Sequence, residues 1–246
     1  DFSISLFDEW SISVVSDGAG SSKYSRKAAE IICRNVPVSI RSYIQTNAFR
    51  FDFDDLDLVR HFFSGAIYYA LEESLSEIED VANGINSHDA LKDFYATALI
   101  CITKNFNSKL LIVSYSIGDG ALAVYDDPDK VQLLISADAG DYSGQTKFLD
   151  RSAVNMTDVL RRVSVSFVSN YTSIFIMSDG VSDPYFETDS MLTNPEKWNH
   201  LWVQLNSTKM FSHNHPEECL LEWLDFWSKG NHDDRTILII TPDNHA

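Results

Sequence analysis

Apolar residues alternate with polar ones at Phe2, Ile4 and Leu6 and again at Ile12 and Val14, on either side of an Asp8-Glu9 turn. A period of two around a short polar turn predicts a β-hairpin. Beyond Gly18–Ser22, where Ser21 or Ser22 can cap, the period lengthens: Tyr24, Ala28, Ile31 and Ile32 recur at helical spacing up to Pro37. A second, longer helix is predicted from about Asp54 to Val81, with Leu56, Val59, Phe63, Ile67, Leu71, Leu75 and Ile78 on one face and an acidic, solvated face opposite. From Phe94 onwards short β-branched runs dominate. Strands are expected at Tyr95–Thr103, Leu110–Ile117, Ala121–Tyr125, Val131–Ser136, Val163–Val168, Ser173–Met177 and Ile237–Ile240. The short turns Asn105–Lys109 and Gly118-Asp119-Gly120 imply antiparallel neighbours. Two helices interrupt, around Glu196–Leu205 and Glu217–Lys229.

Helices at both ends of a run of strands predict an α+β fold with sheets in the middle and helices outside. No Pro/Gly/Ser-rich or charge-dense stretch offers a linker, so the 246 residues read as one domain. No apolar run approaches the roughly 20 residues of a membrane span, and no basic, then apolar, opening marks a secretion signal. The net charge of −17, from 36 acidic and 19 basic residues, argues against a nucleic-acid partner, which would call for clustered Lys and Arg. A membrane partner is not expected either. Cys33, Cys101 and Cys219 are odd in number, far apart and set in apolar segments, which suggests core thiols in a reducing, cytoplasmic setting.

Charge of one sign becomes informative where it is placed at strand ends. The runs SISVV and SIFIM each stop at the same tripeptide, Ser16-Asp17-Gly18 and Ser178-Asp179-Gly180, and His232-Asp233-Asp234 immediately precedes the run Thr236–Thr241. A glycine after the carboxylate lets the backbone turn sharply, and several carboxylates at the mouths of strands are the ligand set of a hard divalent cation. The competing reading, carboxylates that merely cap turns, would not account for a matched pair and a third cluster. Asp119 in its Gly-Asp-Gly setting fits a tight turn better than a ligand. The near pair His213 and His215 reads as a surface loop. Trp198, Trp202, Trp223 and Trp227, two pairs spaced by four, read as helix-packing residues.

Five stretches, VSDGAG at Val15–Gly20, Ala96-Thr97-Ala98, SIGDGALAV at Ser116–Val124, IMSDGV at Ile176–Val181 and HDDRTILII at His232–Ile240, together resemble the metal-dependent serine/threonine protein phosphatases (PPM, type-2C). GDYSGQTKFL at Gly140–Leu149 is similar to a segment of compact bacterial members. The resemblance implies a four-layer α-β-β-α sandwich with two central, mainly antiparallel sheets flanked by helices. It implies a single domain over 1–246 with a variable flap at about 185–229 that shapes substrate choice. It also implies hydrolysis of phosphoserine and phosphothreonine on proteins by a water bridging two Mn2+ or Mg2+ ions, with a third ion in some members.

By the same resemblance Asp17 would bridge both metals, Gly18 would offer its carbonyl to the second ion, and Asp179 and Asp233 would hold the first. Asp1 stands where the family has an acidic residue holding metal-bound water. Asp183 matches a ligand of the third ion, with Asp93 the nearest match to that site's other carboxylate, whereas Asp234 and Asp119 would brace loops. Two departures stand out. Ala19 occupies the position of a histidine that many eukaryotic members use as general acid, which leaves that role to a metal-bound water or to another group, with His232 beside Asp233 as one candidate. The family's phosphate-clamping arginine would fall before Asp1, so Lys23 and Arg26, at the start of the first helix, are the phosphate-binding candidates. The implied partners are a phosphorylated protein and an opposing serine/threonine kinase, and a monomer is expected. A pseudophosphatase serving as a regulatory binding module is the alternative function, and a small phosphorylated molecule an alternative substrate.

Overall fold

Asp8 and Glu9 both adopt positive φ, 43° and 67°, closing a two-residue turn between β1 (Phe2–Phe7) and β2 (Trp10–Val15). Such turns match the right-handed twist of the strands they join. In this computed structural model, residues 1–47, 55–85, 91–106, 108–135, 147–228 and 233–242 are described. The chain divides into two compact units, the first made of Asp1–Asp119 and Leu134–Ser169, the second of Gly120–Leu133 and Asn170–Ala246.

In the first unit β1 and β2 are joined by β3 (Ala98–Phe106), β4 (Lys109–Ile117) and β7 (Ser164–Val168) in an antiparallel sheet of order β1-β2-β3-β4-β7. Among its described residues are three α-helices: α1 (Ser25–Thr46), α2 (Leu56–Gly84) and α3 (Met156–Arg162). Trp10, Ile12 and Val14 of β2, Ile100 and Ile102 of β3, and Val113 and Tyr115 of β4 form one core with Ile31, Ile32 and Ile40 of α1 and Phe63, Ile67 and Leu71 of α2. The register opposes Ser3 to Val14 and Ser5 to Ile12. Phe2, Ile4 and Leu6 therefore lie on the other face of the sheet from Ile12 and Val14, and all three are exposed on its edge strand. The alternation foresaw the hairpin but not which face β1 would bury.

Helix α1 runs through Pro37, where the sequence suggested a stop. Proline removes one helical hydrogen bond, but Val36, Pro37, Ile40 and Ile44 are all buried and continue the apolar face beyond it. No serine caps the helix: its N-cap is Tyr24, and Ser22 donates instead to the Lys92 carbonyl at 2.6 Å. Helix α2 begins at Leu56, capped by Asp55, whose carboxylate accepts the Leu58 N–H at 3.0 Å. Its acidic face is not wholly solvated. Arg151 bonds both Glu72 and Glu79, at 2.7 and 2.6 Å, and Arg34 pairs with Glu77.

The second unit holds an antiparallel sheet of order β6-β5-β8-β9, from β5 (Ala121–Asp126), β6 (Lys130–Leu133), β8 (Ser173–Met177) and β9 (Ile237–Ile240). The α+β class and the two antiparallel sheets with helices are as expected. The Gly118-Asp119-Gly120 turn is different, because β4 and β5 do not pair: β5 pairs with β6 and β8. Gly118 and Gly120 stand at φ of 106° and 101°, conformations open to glycine, and the turn leads the chain out of one sheet instead of folding it back.

The helices of this unit are α4 (Asp179–Phe186), α5 (Pro195–Ser207) and α6 (Pro216–Leu224). Trp198 is buried and donates from its indole to the Leu192 carbonyl at 2.7 Å. Trp202 packs against Phe175 and Phe211, and Trp223 against Tyr185 and Phe226. Trp227 departs from the helix-packing expectation: it is 80% exposed. Helix α6 stops at Leu224, well before Lys229, where the Arg235 guanidinium takes the Leu224 carbonyl at 2.8 Å and also that of Phe226. Gly140–Thr146, Asp54, Ser136, Lys229 and His232, on which sequence expectations were placed, lie outside the described residues.

Candidate functional site

In the first unit, four segments meet at the open end of the β1–β2 hairpin. Asp1 and Ser16 exchange main-chain bonds at 2.8 and 3.0 Å, which sets Asp1 opposite the residue before Asp17. The Asp1 carboxylate accepts the Phe2 N–H at 2.8 Å. Beyond β2 the chain pairs with the residues leading into β3: Thr97 N–H donates to the Asp17 carbonyl at 2.8 Å and Ala19 N–H to the Tyr95 carbonyl at 2.9 Å, an isolated antiparallel bridge between Gly18 and Ala96. The Thr97 hydroxyl accepts the Asp17 N–H at 2.9 Å, and the Ser16 hydroxyl donates to the Thr97 carbonyl at 2.6 Å. Gly118 sits so closely on Thr97 that an added Cβ would lie 2.6 Å from the Thr97 Cβ.

Asp17 is half-buried, and its Oδ1 accepts the Gly18 N–H at 2.8 Å. Gly18 is required by crowding: a Cβ there would come within 2.8 Å of Ser25 at the start of α1. The bridge to Ala96 is made by the residues flanking Gly18, so strand pairing does not use the Gly18 carbonyl. Lys23 and Arg26, the phosphate-binding candidates, are exposed around the first turn of α1. The Lys23 ammonium lies 5.0 Å from the Tyr24 ring. Its hydrogen bond to Tyr24, and more weakly the Asp93 carboxylate, hold its pKa above the ordinary lysine value. Asp93 lies in a single 3-10 turn (Lys92–Phe94), and its carbonyl accepts the Tyr24 N–H at 2.7 Å.

In the second unit, Asp179 is the first residue of α4, separated from the end of β8 by Ser178 alone, and its Oδ1 accepts the Gly180 N–H at 2.8 Å. The structure brings this turn against the residues leading into β9. Ser178 N–H donates to the Thr236 carbonyl at 3.0 Å, its hydroxyl accepts the Thr236 N–H at 3.1 Å, and the same hydroxyl donates to the Asp234 carbonyl at 3.2 Å. A Cβ on Gly180 would run into the Asp234 carbonyl and lie 3.3 Å from that of Asp233. Asp233 is exposed, and its Oδ1 accepts the Asp234 N–H at 3.0 Å. Asp183, exposed, follows Asp179 by one helical turn. Asp1, Asp17, Asp179 and Asp233 thus share one local geometry, a carboxylate oxygen closed onto the N–H of the next residue.

Every donor in this set is oxygen, from carboxylates or a glycine carbonyl, which suits Mg2+ or Mn2+ rather than a thiol-seeking metal. Within either unit, among the described residues, no three His, Cys, Asp or Glu side chains are gathered closely enough to hold an ion by themselves.

A sequence model of the family described as protein phosphatase 2C matches residues 1–225. The chain belongs to the protein phosphatase 2C family. The enzyme class read from its motifs, a protein-serine/threonine phosphatase, follows from that membership. Asp233 lies beyond the matched span. Among curated proteins the chain finds no match. Among solved structures it is similar to the serine-threonine phosphatase 2C of Toxoplasma gondii, at 11% identity and a TM-score of 0.54 over 95% of this chain and 84% of that one. It is also similar to a bacterial serine phosphatase carrying a single substitution, at 14% and 0.52 over 99% and 90%. The serine/threonine phosphatase Stp1 of Staphylococcus aureus matches at 14% and 0.51 over 99% and 88%. Identities this low show the protein phosphatase 2C fold and no more.

Within that family frame, Ala19 is buried and its N–H is committed to Tyr95, so its position offers no proton donor from a side chain. His213 bonds back to the main chain of His215, a closed surface loop. Sequence reading missed the two serines beside the aspartates and the hydroxyl of Thr97. The repeated Ser-Asp-Gly was the signal for the first. Among the described residues no helix is long and apolar enough to cross a bilayer.

Proposed function

We propose that this chain hydrolyses phosphoserine and phosphothreonine on proteins with Mn2+ or Mg2+ as cofactor, two ions at the reaction centre and a third, weaker one near Asp183. The observation that carries the reading is the shared geometry of four acidic residues at strand ends, together with a glycine carbonyl that strand pairing does not use. The proposed ligands are Asp17, Gly18 and Asp1 from the first unit and Asp179, Asp233 and Asp183 from the second. Divalent ions of this kind acidify water and cancel charge on phosphoryl oxygens. The residues' own part is to stay put: each Oδ1-to-N–H bond fixes a carboxylate from within its own segment, so little ordering remains to be done on binding. Lys23 and Arg26 are proposed to draw in the phosphate, helped by the N-terminal dipole of the 22-residue α1.

An opposing serine/threonine kinase is the partner this reaction implies. The three unbridged cysteines support a reducing, cytoplasmic site of action. We take the chain to act as one catalytic domain, monomeric, with residues 185–229 as the segment that sets substrate choice. Turnover of p-nitrophenyl phosphate and of a phosphothreonine peptide, with Mn2+ and with EDTA, tests the reading. Turnover that needs Mn2+ and falls at least about a hundredfold in Asp17→Asn and in Asp179→Asn is expected. Equal rates in EDTA would refute the metal mechanism. Mn2+ binding without turnover of either ester would favour the regulatory binding module.

A further inference from the structure

The two Ser-Asp-Gly tripeptides repeat an arrangement as well as a sequence. Ser16 and Ser178 are 0% and 2% exposed. Burying a hydroxyl is unfavourable unless it is bonded, and alanine would fill nearly the same space without that demand. Both hydroxyls are bonded to main-chain carbonyls far away along the chain, Ser16 to Thr97 and Ser178 to Asp234, 81 and 56 residues distant. In each tripeptide the aspartate Oδ1 then closes on the following glycine N–H, and in each the glycine leaves no room for a Cβ.

The second segment that each serine reaches is not arbitrary. Thr97 returns two bonds to Asp17 itself. Asp234 follows Asp233, and Thr236 receives and gives bonds to Ser178, so the Ser178 hydroxyl sits between the chain that bears Asp179 and the chain that bears Asp233. Removing it would leave the Asp179 turn and the lead into β9 joined chiefly by the Ser178 N–H and the seat of Gly180.

We infer that Ser16 and Ser178 are positioning residues for the metal ligands: each buried hydroxyl ties the strand end that carries an aspartate to the neighbouring segment, and so sets where that carboxylate stands. The inference rests on the metal reading above.

Mn2+ titration by calorimetry tests it, on the purified chain and on Ser16→Ala, Ser178→Ala, Asp179→Asn and Ser74→Ala. Ser74 is the control: it is 0% exposed, and its hydroxyl donates to the Ala70 carbonyl at 2.8 Å within α2. The Mn2+ Kd should rise about tenfold in Ser16→Ala and in Ser178→Ala, on the scale of one lost buried hydrogen bond, and stay unchanged in Ser74→Ala, with comparable losses of thermal stability in all three. Unchanged Kd in both tripeptide variants, while Asp179→Asn loses binding, would overturn the inference and leave the metal reading standing. Full Mn2+ affinity in Asp179→Asn would remove the metal reading and the inference with it. Should Ser178→Ala not fold, Ser16→Ala in the other unit carries the same comparison.

Discussion

Thr97 holds Asp17 by both of its main-chain groups, taking the Asp17 N–H on its hydroxyl at 2.9 Å and giving its own N–H to the Asp17 carbonyl at 2.8 Å. Only the second bond survives if the hydroxyl is lost. Thr97→Val keeps the shape and leaves the Asp17 N–H unpaired, at about 1–3 kcal/mol of folding stability. Urea denaturation of the two proteins measures it, and a loss below the error of the midpoint would show that water replaces the hydroxyl at no cost.

Gly180→Ala places a methyl group against the Asp234 carbonyl. Main chain cannot yield as a flexible side chain can, so the substitution should destabilise by about 1–3 kcal/mol. Gly20→Ala meets nothing within 4 Å and should be close to neutral. Thermal unfolding of the pair decides whether crowding is what requires glycine after Asp179.

The thiols differ in environment. Burial pushes the Cys33 thiol up to about 11 and the Cys101 thiol up to about 12, while Cys219 is only half-buried on α6. A raised thiol pKa means little thiolate near pH 8. A thiol-specific chromogenic reagent should therefore titrate one group rapidly in the folded chain and three in denaturant. Three fast groups without denaturant would contradict the burial of Cys33 and Cys101.

Arg151 bridges Glu72 and Glu79 on α2, and its hydrogen bond holds the Glu79 carboxyl below its ordinary value. A depressed carboxyl pKa contributes stability above the unfolded value and loses it as pH falls through the folded one. All three side chains are about a third exposed, so Arg151→Ala should cost about 1 kcal/mol or less at pH 7. The gap from the parent should narrow as pH drops below about 4. Denaturation midpoints of both proteins at pH 7 and at pH 3.5 give the comparison.

Much of the fold was legible because most strands here are short apolar runs, several of them closed by glycine or aspartate, and the two antiparallel sheets with helices follow from them. Three features resisted. Pro37 looked like a stop because its cost is local, while the burial of Ile40 and Ile44 beyond it is tertiary. Helix α4 was hidden by its length and by Pro184, and it starts on the very aspartate that had been read only as a ligand. The turn at Gly118–Gly120 has the length of a hairpin, and nothing in its three residues says that the next strand joins a different sheet. At the candidate site the aspartates announced themselves by repetition. The hydroxyls that seat them did not, since a buried serine in an apolar run looks like any small residue until its acceptor, 81 or 56 positions away, is known.

The crowded glycines and bonded serines on either side of Asp17 and Asp179 divide the tripeptide's labour between survival and activity. A randomised library at these six positions, sorted first for soluble expression and then for catalysis, should come through the first sort varied at the middle residue and uniform at its neighbours. Only the second sort should restore the aspartates.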